Sequence, residues 1–170
     1  MESVPDTFSL SLLQAISDWQ RGGDPKQNAR RGLALKNACK LLSDKYRSCA
    51  SRCFRQLALP KGGVWKLIGE NRLPEKISSW TTDIEVAEGF KGGVPPEGQG
   101  YQGVILCLNP PATSVIVNLR VLYQDSAFIK ALEDNKTAIS GYHDGAGRYG
   151  NDQSEVVLWS CPYPTGQAAG

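Results

Sequence analysis

The chain has 170 residues, 41% of them hydrophobic and 21% charged, with a net charge of +2. That is about one domain's worth of chain with enough apolar material for a core, which excludes a disordered type. No apolar run approaches the roughly 18 residues needed to span a bilayer, and the start MESVPDTFSL carries acid where a secretory leader carries base, so a soluble cytoplasmic protein is expected.

Leu12, Leu13, Ile16 and Trp19 recur at helical spacing, and Gly22-Gly23 ends the pattern. A second helix is expected from about Gln27 to Tyr46, with Leu35, Ala38, Cys39 and Leu42 on its apolar side. Charge is concentrated here. Residues 21–55 hold ten Lys/Arg against Asp24 and Asp44, a local +8, which leaves −6 for the remainder. Such a block either is a solvated face or attracts nucleic acid or an acidic protein surface. The five cysteines, Cys39, Cys49, Cys53, Cys107 and Cys161, are odd in number and form no CxxC, so reduced thiols are expected. Cys49 and Cys53 have a spacing that could share one helix turn. His143 is the only histidine, and no metal site is expected.

After about residue 50 the character changes. SRCFRQLAL, GVILCLNP, SVIVNLRVLY and SEVVLWSC are short β-rich runs punctuated by Gly, Pro and Asn. TTDIEVAEGF opens a short helix, for which Thr82 and Glu85 match a capping box and Gly92-Gly93 follow the end. GGVPPEGQG (92–100) is a loop by composition, and SAFIKALEDN (126–135) is another helix. Two helices followed by strands with short helices between them indicate an α+β domain and not a βαβ alternation. A single domain over 1–170 is expected, with a helical part over 1–50 and a β-rich core over 51–161.

Several letter matches carry no chemistry. GAGRYG (145–150) fits GxGxxG, yet the dinucleotide fingerprint needs a strand before it and a helix after it. KGGVWK (61–66) lacks P-loop spacing, and no GxSxG is present for a serine nucleophile. One constellation survives. In NDQSEVVLW (151–159) a period of two puts Gln153, Glu155, Val157 and Trp159 on one side of a strand. Arg55 lies inside the apolar run CFRQLAL, and a guanidinium fork grips phosphate well. Ser79 and Thr81 alternate with Trp80 in an extended stretch that runs into a helix.

An arginine on a first strand, a Ser-x-Thr strand entering a helix, and a Gln-x-Glu pair on a late strand together resemble the ADP-ribosyltransferases of the arginine–serine–glutamate class, related to bacterial toxins. The resemblance covers about residues 51–161, through Phe54-Arg55, Ser79-Trp80-Thr81 with Ala87 and Phe90, and Gln153-Ser154-Glu155-Val156-Val157-Leu158. The diphtheria-like class needs a histidine on the first strand, where this chain has none. The chain departs from the usual pattern in reading Ser-Trp-Thr and in having Gln56 where many relatives have glycine.

The resemblance implies a split mixed or antiparallel β core behind N-terminal helices, and a mono-ADP-ribosyltransferase with NAD as its substrate. It implies that Glu155 stabilises the developing charge on the ribose, Ser79 orients Glu155, and Arg55 holds the NAD phosphates. The backbone of Gln56 would meet the nicotinamide amide, and Thr81 and Phe90 would line the pocket. Gln153 would face the acceptor. A glutamine there, which cannot act as a base, disfavours arginine as the target and leaves other protein side chains or nucleic-acid bases. Tyr142 and Tyr149, in the loop SGYHDGAGRYG (140–150), are the candidate target contacts. As a bare catalytic domain the chain would suit a phage or bacterial effector. The alternatives are a NAD glycohydrolase on the same scaffold and an inactive binding module docking through its basic region.

Overall fold

The computed structural model describes residues 8–60, 76–89 and 101–159. Phe90, Cys161 and the 92–100 loop lie outside the described residues. Helix α1 spans Leu10–Arg21, and Ser9 caps it by accepting from Leu12 N at 3.2 Å. Gly22, at φ 71°, ends it and returns its N–H to the Trp19 carbonyl. Helix α2 spans Pro25–Ala38. Its start is a reciprocal capping box, with Gln27 N on Asp24 Oδ1 at 2.8 Å and Asp24 N on Gln27 Oε1 at 3.0 Å. The single helix expected as far as Tyr46 stops early. Two 3-10 turns, Cys39–Leu41 and Asp44–Tyr46, replace its last part, because Leu42 and Ser43 are extended. The apolar stripe survives this break, since Leu35, Cys39 and Leu42 are all buried.

The strands are β1 (Cys53–Pro60), β2 (Ile77–Thr81), β3 (Tyr101–Leu108), β4 (Val115–Asn118) and β5 (Glu155–Trp159). They form one five-stranded sheet in the order β3-β1-β2-β5-β4, and every pairing is antiparallel, so the architecture is α+β. The two joins of β1 differ greatly. β1 and β3 pair over eight positions, from Cys53–Leu108 to Pro60–Tyr101. β1 and β2 share one register pair, Phe54–Thr81. The expected strand SVIVNLRVLY is shorter than its composition suggests. The Asn118 side chain accepts from Val121 N and starts helix α4 (Leu119–Leu122). Helix α3 (Ile84–Gly89) follows β2, and α5 (Ser126–Asn135) matches the expected span.

Directly paired residues share a face of the sheet. Ile77, Ser79 and Thr81 therefore stand with Trp159, Val157 and Glu155. This face meets the helices, and its core includes Leu13, Ile16, Leu35, Val117, Phe128 and Val157. On the other face Cys53, Trp80, Val115, Val156 and Leu158 form a smaller cluster. No helix among the described residues is long and apolar enough to cross a membrane.

Candidate active site

Three of the expected residues come together across β1, β2 and β5. Glu155 opens β5 opposite Thr81 and is only 5% exposed. The Ser79 hydroxyl, one pair further along β2, donates to its carboxylate. Arg55 of β1 acts on the same carboxylate through its charge. Arg55 Nη1 also donates to the Ser79 carbonyl at 2.8 Å. That bond lies where β1 and β2 have no second register pair, so a side chain supplies a donor to the β2 backbone there.

A fourth partner comes from outside the β-rich core. Trp19 of α1 donates its indole N–H to Glu155 Oε2 at 2.8 Å, across 136 positions of sequence. Periodicity identifies Trp19 only as a core residue of α1. The available signal is chemical: a buried indole still carries an N–H that needs an acceptor.

Burial raises the Glu155 pKa above its ordinary value, while the hydrogen bonds from Ser79 and Trp19 and the charge of Arg55 oppose that rise without cancelling it. A carboxylate in this state gains from the arrival of a positive charge. A cation brought beside Glu155 would therefore be stabilised by it. Tyr123 lies close enough to feel the Glu155 charge, and burial followed by that charge raises its phenol strongly. Its hydroxyl donates to Gln20 Oε1 at 2.6 Å.

The remaining candidates are placed less simply. Gln153 does not share a strand face with Glu155. β5 begins at Glu155, Gln153 lies in the preceding turn, and Ser154 takes φ 44°, which breaks the extended alternation. Thr81 is buried opposite Glu155, but its Oγ1 accepts from Asp83 N at 3.1 Å. Asp83 Oδ1 in turn accepts from Glu85 N at 2.9 Å, so Thr81 and Asp83 form the turn into α3 in place of the expected Thr82–Glu85 box. Gln56 sits in β1 opposite Ile105, half-buried.

The 140–150 stretch, expected as a loop, contains a 3-10 turn (Tyr142–Asp144) and a one-turn helix, α6 (Ala146–Tyr149). Tyr142 packs partly into the helical-face core, and Tyr149 is half-buried with the Arg148 guanidinium 5.2 Å from its ring centre. Polar residues of α1 at three-residue intervals hold this stretch. Gln14 exchanges two hydrogen bonds with the Ser140 backbone, at 2.8 and 2.9 Å. Ser17 Oγ accepts from Ala146 N at 3.2 Å, and Gln20 Nε2 donates to the Gly150 carbonyl at 3.0 Å. Gly145 allows the contact, because a Cβ there would meet Ser17 O at 2.2 Å. The helix that supplies Trp19 therefore also carries the candidate target segment.

An open cleft of about 500 Å³ lies elsewhere, lined by Gln14, Asp18, Arg21, Arg30, Arg31 and Ser140 among others. None of Arg55, Ser79 and Glu155 lines it. Two of its arginines have partners, Arg21 with Asp18 at 3.5 Å and Arg31 with the Gly22 carbonyl. Cys49 and Cys53 do not share a helix turn, since the backbone from 48 to 52 is irregular, yet their sulfurs lie 3.8 Å apart. Among the described residues no group of three His, Cys, Asp or Glu side chains gathers into a metal site. No protein-family model, curated protein or solved structure matches the chain.

Proposed function

We propose that this chain is a mono-ADP-ribosyltransferase of the arginine–serine–glutamate class. It would cleave NAD at the nicotinamide–ribose bond and transfer ADP-ribose to a macromolecular acceptor. The observation that carries this reading is the convergence of Arg55, Ser79 and Glu155 from adjacent strands. The single register pair between β1 and β2 supports the split core that such enzymes have.

Departure of nicotinamide leaves an oxocarbenium-like ribose, as in glycoside hydrolysis. The Glu155 carboxylate, held by Ser79 and Trp19, faces that developing charge and accepts from a ribose hydroxyl. Arg55, which donates to the Ser79 carbonyl, would also present its planar guanidinium fork to an NAD phosphate. The Gln56 backbone would meet the nicotinamide amide, with Thr81 at the pocket wall. Gln153, Tyr142 and Tyr149 would contact the acceptor, a protein side chain, with arginine disfavoured, or a nucleic-acid base.

Incubation with labelled NAD tests this directly. Label carried onto macromolecule supports the transferase, and protease or RNase treatment then identifies the acceptor class. Free ADP-ribose with nicotinamide would instead assign a NAD glycohydrolase. The absence of all these products would refute NAD chemistry. The arginine-lined cleft favours a second reading, a module that docks an anionic partner. Steeply salt-dependent nucleic-acid binding that survives Glu155→Ala would support it.

A further inference from the structure

Outside the candidate active site, two thiols meet without any role in the proposed chemistry. Cys49 lies in the irregular segment before β1, and Cys53 is the first residue of that strand. Their sulfurs are 3.8 Å apart. Both also point at one backbone oxygen, the Ser51 carbonyl, at 3.4 Å from Cys49 Sγ and 3.8 Å from Cys53 Sγ. The chain wraps around that carbonyl and turns the two side chains toward each other. Accessibility divides them, because Cys49 is half-exposed and Cys53 is fully buried.

We propose that Cys49 and Cys53 form a dithiol modification site that hydrogen peroxide closes to an intramolecular disulfide. The Cys49 sulfur attacks a peroxide oxygen and the O–O bond breaks. One oxygen leaves as water with the thiol proton, and Cys49 becomes a sulfenic acid. The Cys53 sulfur then attacks the Cys49 sulfur and the S–O bond breaks. The oxygen leaves as a second water with the Cys53 proton. Two thiols lose two electrons, and one hydrogen peroxide gains them.

The order of events follows from the environment. Burial above all, and then the neighbouring Cys49, push the Cys53 thiol up to about 12, so it does not compete for the oxidant, and it gives up its proton to the departing oxygen only as it attacks the sulfenic acid. The other described thiols lack this arrangement. Cys39 is buried, and burial pushes its thiol up to about 12. Cys107 is exposed, but it pairs with Phe54 in the β1–β3 ladder and so points to the face opposite Cys53. Closing the ring requires the sulfurs to approach from 3.8 Å to about 2.0 Å.

Trypsin provides the test, because Arg47, Arg52 and Arg55 bracket the two cysteines. The native chain is treated with one equivalent of hydrogen peroxide, alkylated, and digested without reductant. The peptides SCASR and CFR should remain joined, two hydrogens lighter than the free pair, and should separate on reduction. In Cys49→Ser the joined species should vanish, and Cys53 should stay unalkylated until the chain is unfolded. Over-oxidation of Cys49 to sulfinic acid with Cys53 still reduced would overturn the proposal. Oxidation of Cys107 before the pair closes would do the same.

Discussion

Replacing Trp19 by Phe should cost more stability as the pH rises. The change keeps a ring in the α1 core and removes the indole N–H that meets Glu155 Oε2 at 2.8 Å. Lost packing should cost about 1–3 kcal/mol at any pH. The lost hydrogen bond depends on charge. A bond to a neutral acid contributes about 0.5–1.5 kcal/mol and one to a carboxylate about 1.5–3 kcal/mol. The penalty should therefore grow by about 1–1.5 kcal/mol as Glu155 ionises. The sign is fixed by burial, which holds the folded pKa above the ordinary 4.5. The folded state keeps its proton longer than the unfolded state, so stability is full below 4.5 and falls as pH rises through the folded pKa. Trp19→Phe extends that fall to higher pH. Urea unfolding followed by far-ultraviolet circular dichroism across this range, with the denaturant slope unchanged, measures it. A penalty that is the same at both ends of the range would refute the assigned bond.

Other outcomes follow from the same geometry. Glu155→Gln keeps an acceptor for Trp19 without the buried charge. It should be at least as stable as the wild type above the titration, with a flatter pH dependence in the same unfolding series, and it should lose about 10²–10³-fold in NAD turnover. Arg55→Lys retains the charge and loses the planar fork. Competition between the Ser79 carbonyl and a phosphate for one ammonium should raise the KM for NAD and lower stability by about 1 kcal/mol, read by steady-state kinetics and urea titration. Gly145→Ala forces a Cβ against Ser17 O and should cost about 1–3 kcal/mol, measured by thermal unfolding, with new protease sensitivity confined to residues 140–150. An unchanged melting temperature would rule out that packing.

Local pattern was readable where one short segment decides its own structure. The helical spacing of Leu12, Leu13, Ile16 and Trp19 and the span of α5 both match the structure. Strand ends were harder, because single side chains set them. Asn118 turns a β-rich run into a helix, and a left-handed Ser154 takes Gln153 out of the strand that composition assigned to it. The turn into α3 is built by Thr81 and Asp83, the residues on either side of Thr82. In the site, the meeting of Arg55 and Ser79 with Glu155 had signatures in each segment. The Trp19 contact has only a chemical hint, the indole N–H that needs an acceptor, and nothing local says that Glu155 supplies it.

The narrow join between β1 and β2 has a consequence for how the sheet opens. Strands β1 and β3 are bound along their whole length, as are β2 and β5, whereas among the described residues the two groups share one register pair, the Arg55–Ser79 bond and the small cluster that holds Cys53 and Trp80. Amide hydrogen exchange should then sort the strands into two cooperative units, β3-β1 and β2-β5-β4, that protect their protons independently. Arg55 would act as a clasp between units that can open separately. Removing it should let each unit keep its own protection while the seam between them exchanges early.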